Sequence, residues 1–199
     1  MSKPRIGIIV GSVRPNRFAD KPASWIAEIA SARDDLEVET IDLKDFPLPL
    51  FDEPVSPAWK PSQNEVARRW QETVDRFDGF IVTAAEYNHG PAPAMKNALD
   101  YAYKEWNRKP VAFVGYGGVG GARAVEQLRL HAVELQMAST KNAVHIVWAD
   151  MAPVMNGEKS LSDFDHLNKS AEATLDELAW WAKVLKDARE ADGVQAKAA

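Results

Sequence analysis

Residues 11–17, Gly-Ser-Val-Arg-Pro-Asn-Arg, follow directly on the apolar run Ile6–Val10 and bring one glycine, one hydroxyl and two guanidinium groups into seven positions. At a strand-to-helix junction these groups suit an anion, because free backbone N–H groups open the helix and arginine forks match phosphate oxygens. A dinucleotide fingerprint needs glycine where Val13 and Asn16 stand, and a P-loop needs glycine at Asn16 followed by lysine. The stretch fits neither. The Val13 side chain keeps the backbone off a pyrophosphate, whereas Ser12, Arg14 and Arg17 can surround a terminal monoester. The alternative is a plain turn whose arginines are solvated.

Two further loops carry candidate chemistry. Residues 85–93 read Ala-Glu-Tyr-Asn-His-Gly-Pro-Ala-Pro, and residues 116–123 read Tyr-Gly-Gly-Val-Gly-Gly-Ala-Arg. Gly115-x-Gly117-x-x-Gly120 formally matches a dinucleotide motif, but the next acidic strand end, Asp150, comes about 30 residues later instead of about 20. The stretch reads better as bare backbone that can lie against a flat ring, or as an ordinary flexible loop. None of the four histidines, His89, His131, His145 and His166, has metal-ligand spacing. His89 is expected to be structural or solvent-facing. The chain has no cysteine, which removes thiolate catalysis and Cys-ligated metals.

The elements that must position these loops alternate. Strands are expected at Ile6–Val10, Val38–Leu43, Phe80–Ala85, Val111–Tyr116 and Val144–Trp148. Between them lie helical repeats at Trp25/Ile26/Ile29, Val66/Trp70/Val74, Met95/Ala98/Leu99 and Val125/Leu128/Ala132, with Leu167/Ala171/Leu175/Leu178 closing the chain. Ser62-x-x-Glu65 matches a capping box and sets a helix start near residue 62. Such alternation implies a parallel sheet covered on both faces, whose ligand lies beyond the carboxyl ends of the strands where their order reverses. The three loops should therefore converge. Residues 44–61 hold five prolines and three aromatics, a long connection of the kind used for binding or interfaces.

The chain has 199 residues, enough for one sizeable core, and is read as one domain over 1–190 with a frayed tail over 191–199. A net charge of -5 argues against nucleic acid or anionic membrane as partner. With no apolar leader near the start and no stretch approaching the roughly 18 apolar residues of a span, a cytoplasmic protein is expected. The Pro93–Trp106 segment is read as one helix showing Tyr101, Tyr103 and Trp106 as extra apolar surface for a homodimer to cover.

Glu86-Tyr87-Asn88, taken in order with Gly-Ser-Val-Arg-Pro-Asn-Arg and Gly-Gly-Ala-Arg-Ala-Val-Glu-Gln-Leu-Arg, resembles the NADPH-dependent FMN reductase family over residues 5 to about 150. The resemblance implies a flavodoxin-like α/β fold, a doubly wound five-stranded parallel sheet of order 2-1-3-4-5. It implies FMN as cofactor, NADPH or NADH as hydride donor, and a small acceptor: free flavin, quinone, azo compound or metal oxyanion. Ser12, Arg14 and Arg17 would hold the phosphate, Glu86, Tyr87 and Asn88 would edge the isoalloxazine, and Gly117 and Gly118 would touch it. No side chain is then catalytic, no metal is needed, and homodimers or homotetramers are implied. Ping-pong turnover is the expected mechanism. The family often has proline where this chain has Ala85, which would loosen that loop. A flavodoxin-type electron carrier and a flavin-free interaction domain stand as the alternatives.

Overall fold

The computed structural model describes residues 2–198, with side chains through residue 193. Its strands are β1 (Arg5–Val10), β2 (Glu37–Asp42), β3 (Gly79–Tyr87), β4 (Gly90–Pro91), β5 (Pro110–Tyr116), β6 (Ala138–Ser139) and β7 (Val144–Ile146). The helices are α1 (Asp20–Ser31), α2 (Glu65–Asp75), α3 (Pro93–Asp100), α4 (Ala122–Glu134), α5 (Trp148–Met155) and α6 (Asp165–Ala198). Parallel pairing runs β2-β1-β3-β5-β6, with β7 also parallel to β5 and β4 antiparallel to β3. This is the flavodoxin-like arrangement, its fifth position split into two short strands.

Alternation along the strands sorts the core into two layers. Ile6, Ile8 and Val10 of β1, Ile81 and Ala85 of β3, and Ala112, Val114 and Tyr116 of β5 pack with α1, α5 and α6. Ile9, Phe80, Val82, Val111 and Phe113 face α2, α3 and α4. Both faces of the sheet are therefore apolar, as parallel strands covered on two sides must be. At the amino ends of the strands, Asp78 accepts from the Arg5 backbone N–H at 3.0 Å, Lys186 at 3.0 Å and Arg189 at 2.7 Å, stapling α6 across that rim. The carboxyl rim is left to the loops.

Several boundaries differ from the sequence expectation. The fifth strand breaks because the Thr140 hydroxyl donates to the Asn142 carbonyl at 2.8 Å, and Glu177 takes the backbone N–H groups of Lys141 and Asn142. Trp148, expected in that strand, instead opens α5. Leu43 leaves β2 for a 3₁₀ turn capped by Asp42. The expected Pro93–Trp106 helix stops at Asp100, after which Tyr101 and Trp106 turn into the core. Those two rings are therefore not dimer surface. Helix α6 is described as far as Ala198, and Ala199 lies outside the described residues.

The expected capping box is also replaced. The Ser62 hydroxyl donates to the Glu53 carboxylate, and α2 starts at Glu65 with the Asn64 side chain accepting from Val66 N at 2.9 Å and Ala67 N at 3.2 Å. Asn64→Ala is expected to cost about 1 kcal/mol in urea unfolding, and Glu65→Ala only a few tenths of that figure. The opposite ranking would restore the capping box.

Candidate active site

Three strands end at the carboxyl rim beside the order reversal, and their loops meet there. Buried Thr83 of β3 donates to the Ile9 carbonyl at 3.1 Å and accepts from the Gly11 N–H at 3.2 Å, tying the first loop to its neighbour. The Ser12 hydroxyl pairs with the Tyr87 hydroxyl at 2.7 Å, joining the first loop to the second. Arg14, exposed, lies with its guanidinium 5.5 Å from the Tyr87 ring centroid. Among the described residues it has no carboxylate partner.

Arg17 behaves differently from the expectation that it faces an anion. Its Nε donates to Asp20 at 2.8 Å, and one terminal nitrogen donates to the Ser12 carbonyl and to Asp42, each at 2.7 Å. The other reaches the second Asp42 oxygen and, at 2.6 Å, Asp20. Four of the five N–H donors of the fork are thereby hydrogen-bonded, and the side chain is 5% exposed. Burial is the largest single influence and disfavours the Asp42 carboxylate, but the Arg17 hydrogen bonds, the Lys44 backbone N–H and the charges of Arg17 and Lys44 together outweigh it and hold its pKa below the usual range. The Arg17 pKa moves up correspondingly, chiefly through Asp42. Arg17 is a brace between the first loop and the end of β2, its charge cancelled locally.

The second loop is a hairpin. Tyr87 pairs with Gly90 across β3 and β4, and Asn88 and His89 carry φ of 50° and 69°, the positive values of a type I′ turn. Ala85, in register with Tyr116 and buried, belongs to the strand, so the hairpin supplies the restraint expected of the missing proline. Asn88 sits exposed at the hairpin tip. Helix α4 has Gly121 as its N-cap, where φ is +68° and a Cβ would meet Tyr116 N at 2.5 Å. Glycine offers no capping side chain, so the Glu86 carboxylate, 4% exposed, takes the Arg123 N–H at 3.1 Å and the Arg123 guanidinium at 2.6 Å. Arg123 also contacts His89 Nε2 at 2.6 Å, and Gln127 donates to the His89 carbonyl at 2.7 Å. Glu86 and His89 therefore dock the hairpin on α4.

Between these loops lies a cleft of about 270 Å³, lined by Arg14, Arg17, Glu86, Tyr87, Tyr116 and Gly117, with Asn16, Phe18, Ala85, Trp148, Met151 and Met155 completing its walls. Gly118 stands just outside, with nothing within 4 Å of a Cβ built on it. The lining combines guanidinium and hydroxyl groups with apolar side chains, of which Trp148 and Met155 are each 57% exposed. That mixture suits a flat molecule that also carries an anion. Sequence reading named Ser12, Arg14, Arg17, Glu86, Tyr87, Asn88, Gly117 and Gly118, and missed Tyr116, Trp148, Met151 and Met155. Tyr116 was legible from period two along β5; the α5 residues were hidden by the misread fifth strand.

The family model described as NADPH-dependent FMN reductase matches residues 4–149. Over 130 residues the chain is 42% identical to the NAD(P)H-dependent FMN reductase ntnL of Nectria sp, covering 62% of this chain and 65% of that protein, just under two thirds of its length. Over 136 residues it is 38% identical to the NAD(P)H-dependent FMN reductase C4B3.06c of Schizosaccharomyces pombe, covering 67% and 68%. In fold it is similar to FerB, a flavoenzyme NAD(P)H:(acceptor) oxidoreductase from Paracoccus denitrificans, with a TM-score of 0.72 at 21% identity over 90% of this chain and 97% of that one.

The Arg17–Asp42 brace sets a pH dependence. Because the Asp42 pKa is depressed in the fold, its contribution to stability is complete above about pH 4 and fades as pH falls through the depressed value. Wild type should exceed Asp42→Asn in unfolding free energy at neutral pH, with the gap narrowing in acid. A gap of constant size across that range contradicts the brace.

Proposed function

The chain belongs to the NADPH-dependent FMN reductase family, and on that premise we propose that it is an FMN-containing, NAD(P)H-dependent reductase of a small acceptor. When bound, FMN would supply hydride uptake from the nicotinamide and delivery of electrons to the acceptor, chemistry that asks for orientation more than for a protein acid or base.

The residues present fit that group. The observation that carries the reading is the make-up of the cleft: Arg14, a guanidinium with no carboxylate partner among the described residues, and the buried Tyr116 hydroxyl, together with glycine backbone and an apolar wall. In this reading Arg14 and Ser12 hold the phosphate end, and Arg17 keeps their loop in place. Tyr87, Gly117 and Gly118 lie along the ring, with Asn88 at the rim of the hairpin. Glu86 holds that hairpin to α4 through Arg123. No protein proton transfer is assigned.

Trp148 and Met155 give the mouth a flat, polarisable surface that favours conjugated acceptors, quinones, free flavins and azo compounds, over a metal oxyanion. With one face against the loops and one open, donor and acceptor take turns at the same place, which is a ping-pong order. The proposal includes a cytoplasmic homodimer or homotetramer. Leu50 and Trp59, 82% and 84% exposed on the proline-rich connection, support self-association that would cover them. Among the described residues no helix is long and apolar enough to cross a membrane.

Protein soaked in FMN and desalted should keep one flavin per chain, lose its flavin absorbance on anaerobic addition of NADPH, and regain it when a quinone is added. Double-reciprocal plots should be parallel. Arg14→Ala should weaken FMN by about tenfold or more and leave riboflavin affinity unchanged, since a charge-assisted bond reaches only the phosphate. Retained flavin without NAD(P)H turnover would return the carrier reading, and no retained flavin would remove both.

A further inference from the structure

Tyr116 ends β5 on the face shared with Ala112 and Val114, and only 6% of it is exposed. Its ring is set against Phe18, with centroids 5.5 Å apart and planes at 53°. Its hydroxyl is buried and makes no well-formed hydrogen bond among the described residues, with the Ser12 hydroxyl the neighbouring group close enough to act on it. That is an unfavourable arrangement for a hydroxyl, since burial strips water from a donor and the fold returns no well-formed bond. Burial also pushes the Tyr116 pKa upward, so the group keeps its proton throughout the working range.

The surroundings say what could complete it. Tyr116 lines the same cleft as Arg14, Asn16 and Arg17, and the Ser12, Tyr87, Arg17 and Asp20 side chains are close enough to act on its hydroxyl. The neighbouring hydroxyls of Ser12 and Tyr87 already bond each other at 2.7 Å, and the Arg17 fork is closed on Asp20, Asp42 and the Ser12 carbonyl. The Arg17 fork is thus turned inward, while the Ser12–Tyr87 pair uses one O–H in its mutual bond and keeps the other for a ligand. An anion entering here meets one uncommitted cation, Arg14, and must draw its remaining hydrogen bonds from neutral donors. Beside the remaining O–H of the Ser12–Tyr87 pair, Tyr116 Oη is a neutral donor stripped of water and without a well-formed hydrogen bond.

We propose that Tyr116 is a phosphate-binding residue, its hydroxyl donating to an oxygen of the phosphate monoester of FMN. This rests on the flavin reading above and adds a residue to it. A buried unpaired hydroxyl held for a ligand leaves opposite marks on the empty and the loaded protein: removing it relieves the former and weakens the latter. A hydroxyl with a merely structural role would do neither.

The test is Tyr116→Phe, which keeps the ring packing. Thermal unfolding of the flavin-free protein and fluorescence titrations with FMN, riboflavin and inorganic phosphate are the readouts. The expected result is a flavin-free Tm equal to or above wild type, an FMN Kd raised about five- to tenfold, and an unchanged riboflavin Kd. A lowered flavin-free Tm with unchanged FMN affinity overturns the proposal, as do equal losses for FMN and riboflavin. If wild type binds neither flavin, Tm elevation by inorganic phosphate that Tyr116→Phe abolishes keeps the phosphate site and discards the cofactor. Absence of that elevation overturns the site as well.

Discussion

Parallel pairing of β1 with β2 on one side and β3 on the other is the constraint on which the remaining features depend. Because the chain winds one way from β1 and the other way after β2, the loops following β1 and β3 separate to opposite faces and leave a crevice at the strands' carboxyl ends. The cleft's loop residues follow from that. Ser12 and Arg14 come just after β1, Glu86 and Tyr87 close β3, and Tyr116 and Gly117 end β5. The same parallel register puts Ala85 beside Tyr116, so the second and third loops start level with each other.

The strong ion pairs at this rim are spent on position. Arg17 closes on Asp42 and Asp20, and Glu86 closes on Arg123 at the start of α4. Each brace ties a loop to a neighbouring element, cancels its own charge, and leaves Arg14 as the uncommitted cation of the cleft. Such a division has a physical advantage. A loop held by buried, hydrogen-bonded partners loses little freedom when a ligand arrives, so less of the binding energy goes into ordering it.

Much of this was legible in the sequence, and the failures have causes. Apolar runs and helical repeats located the four long strands and helices α1 to α4 and α6, since parallel strands buried on both faces must be apolar and amphipathic helices must repeat. The fifth strand misled because its break depends on Glu177, remote in the chain, capturing two backbone N–H groups. Ser62 misled as a cap because Glu53 claims its hydroxyl. At the cleft, residue type singled out Arg14 and Arg17 as candidates for one volume, and only the fold shows Arg17 facing two aspartates, one of them 25 residues away. Tyr101 and Trp106 looked like surplus surface because the end of α3 at Asp100, and the turn that buries them, has no strong local signal.

The central claim is that three loops from the strand ends close on one phosphate-bearing flat ligand. Amide hydrogen exchange of the flavin-free protein with and without FMN measures this directly. The account predicts slowed exchange at residues 11–19, 85–91 and 116–121 together, with the 104–109 turn at the opposite rim unchanged. Protection confined to the 44–61 connection, or protection of the second and third loops without the first, would contradict it.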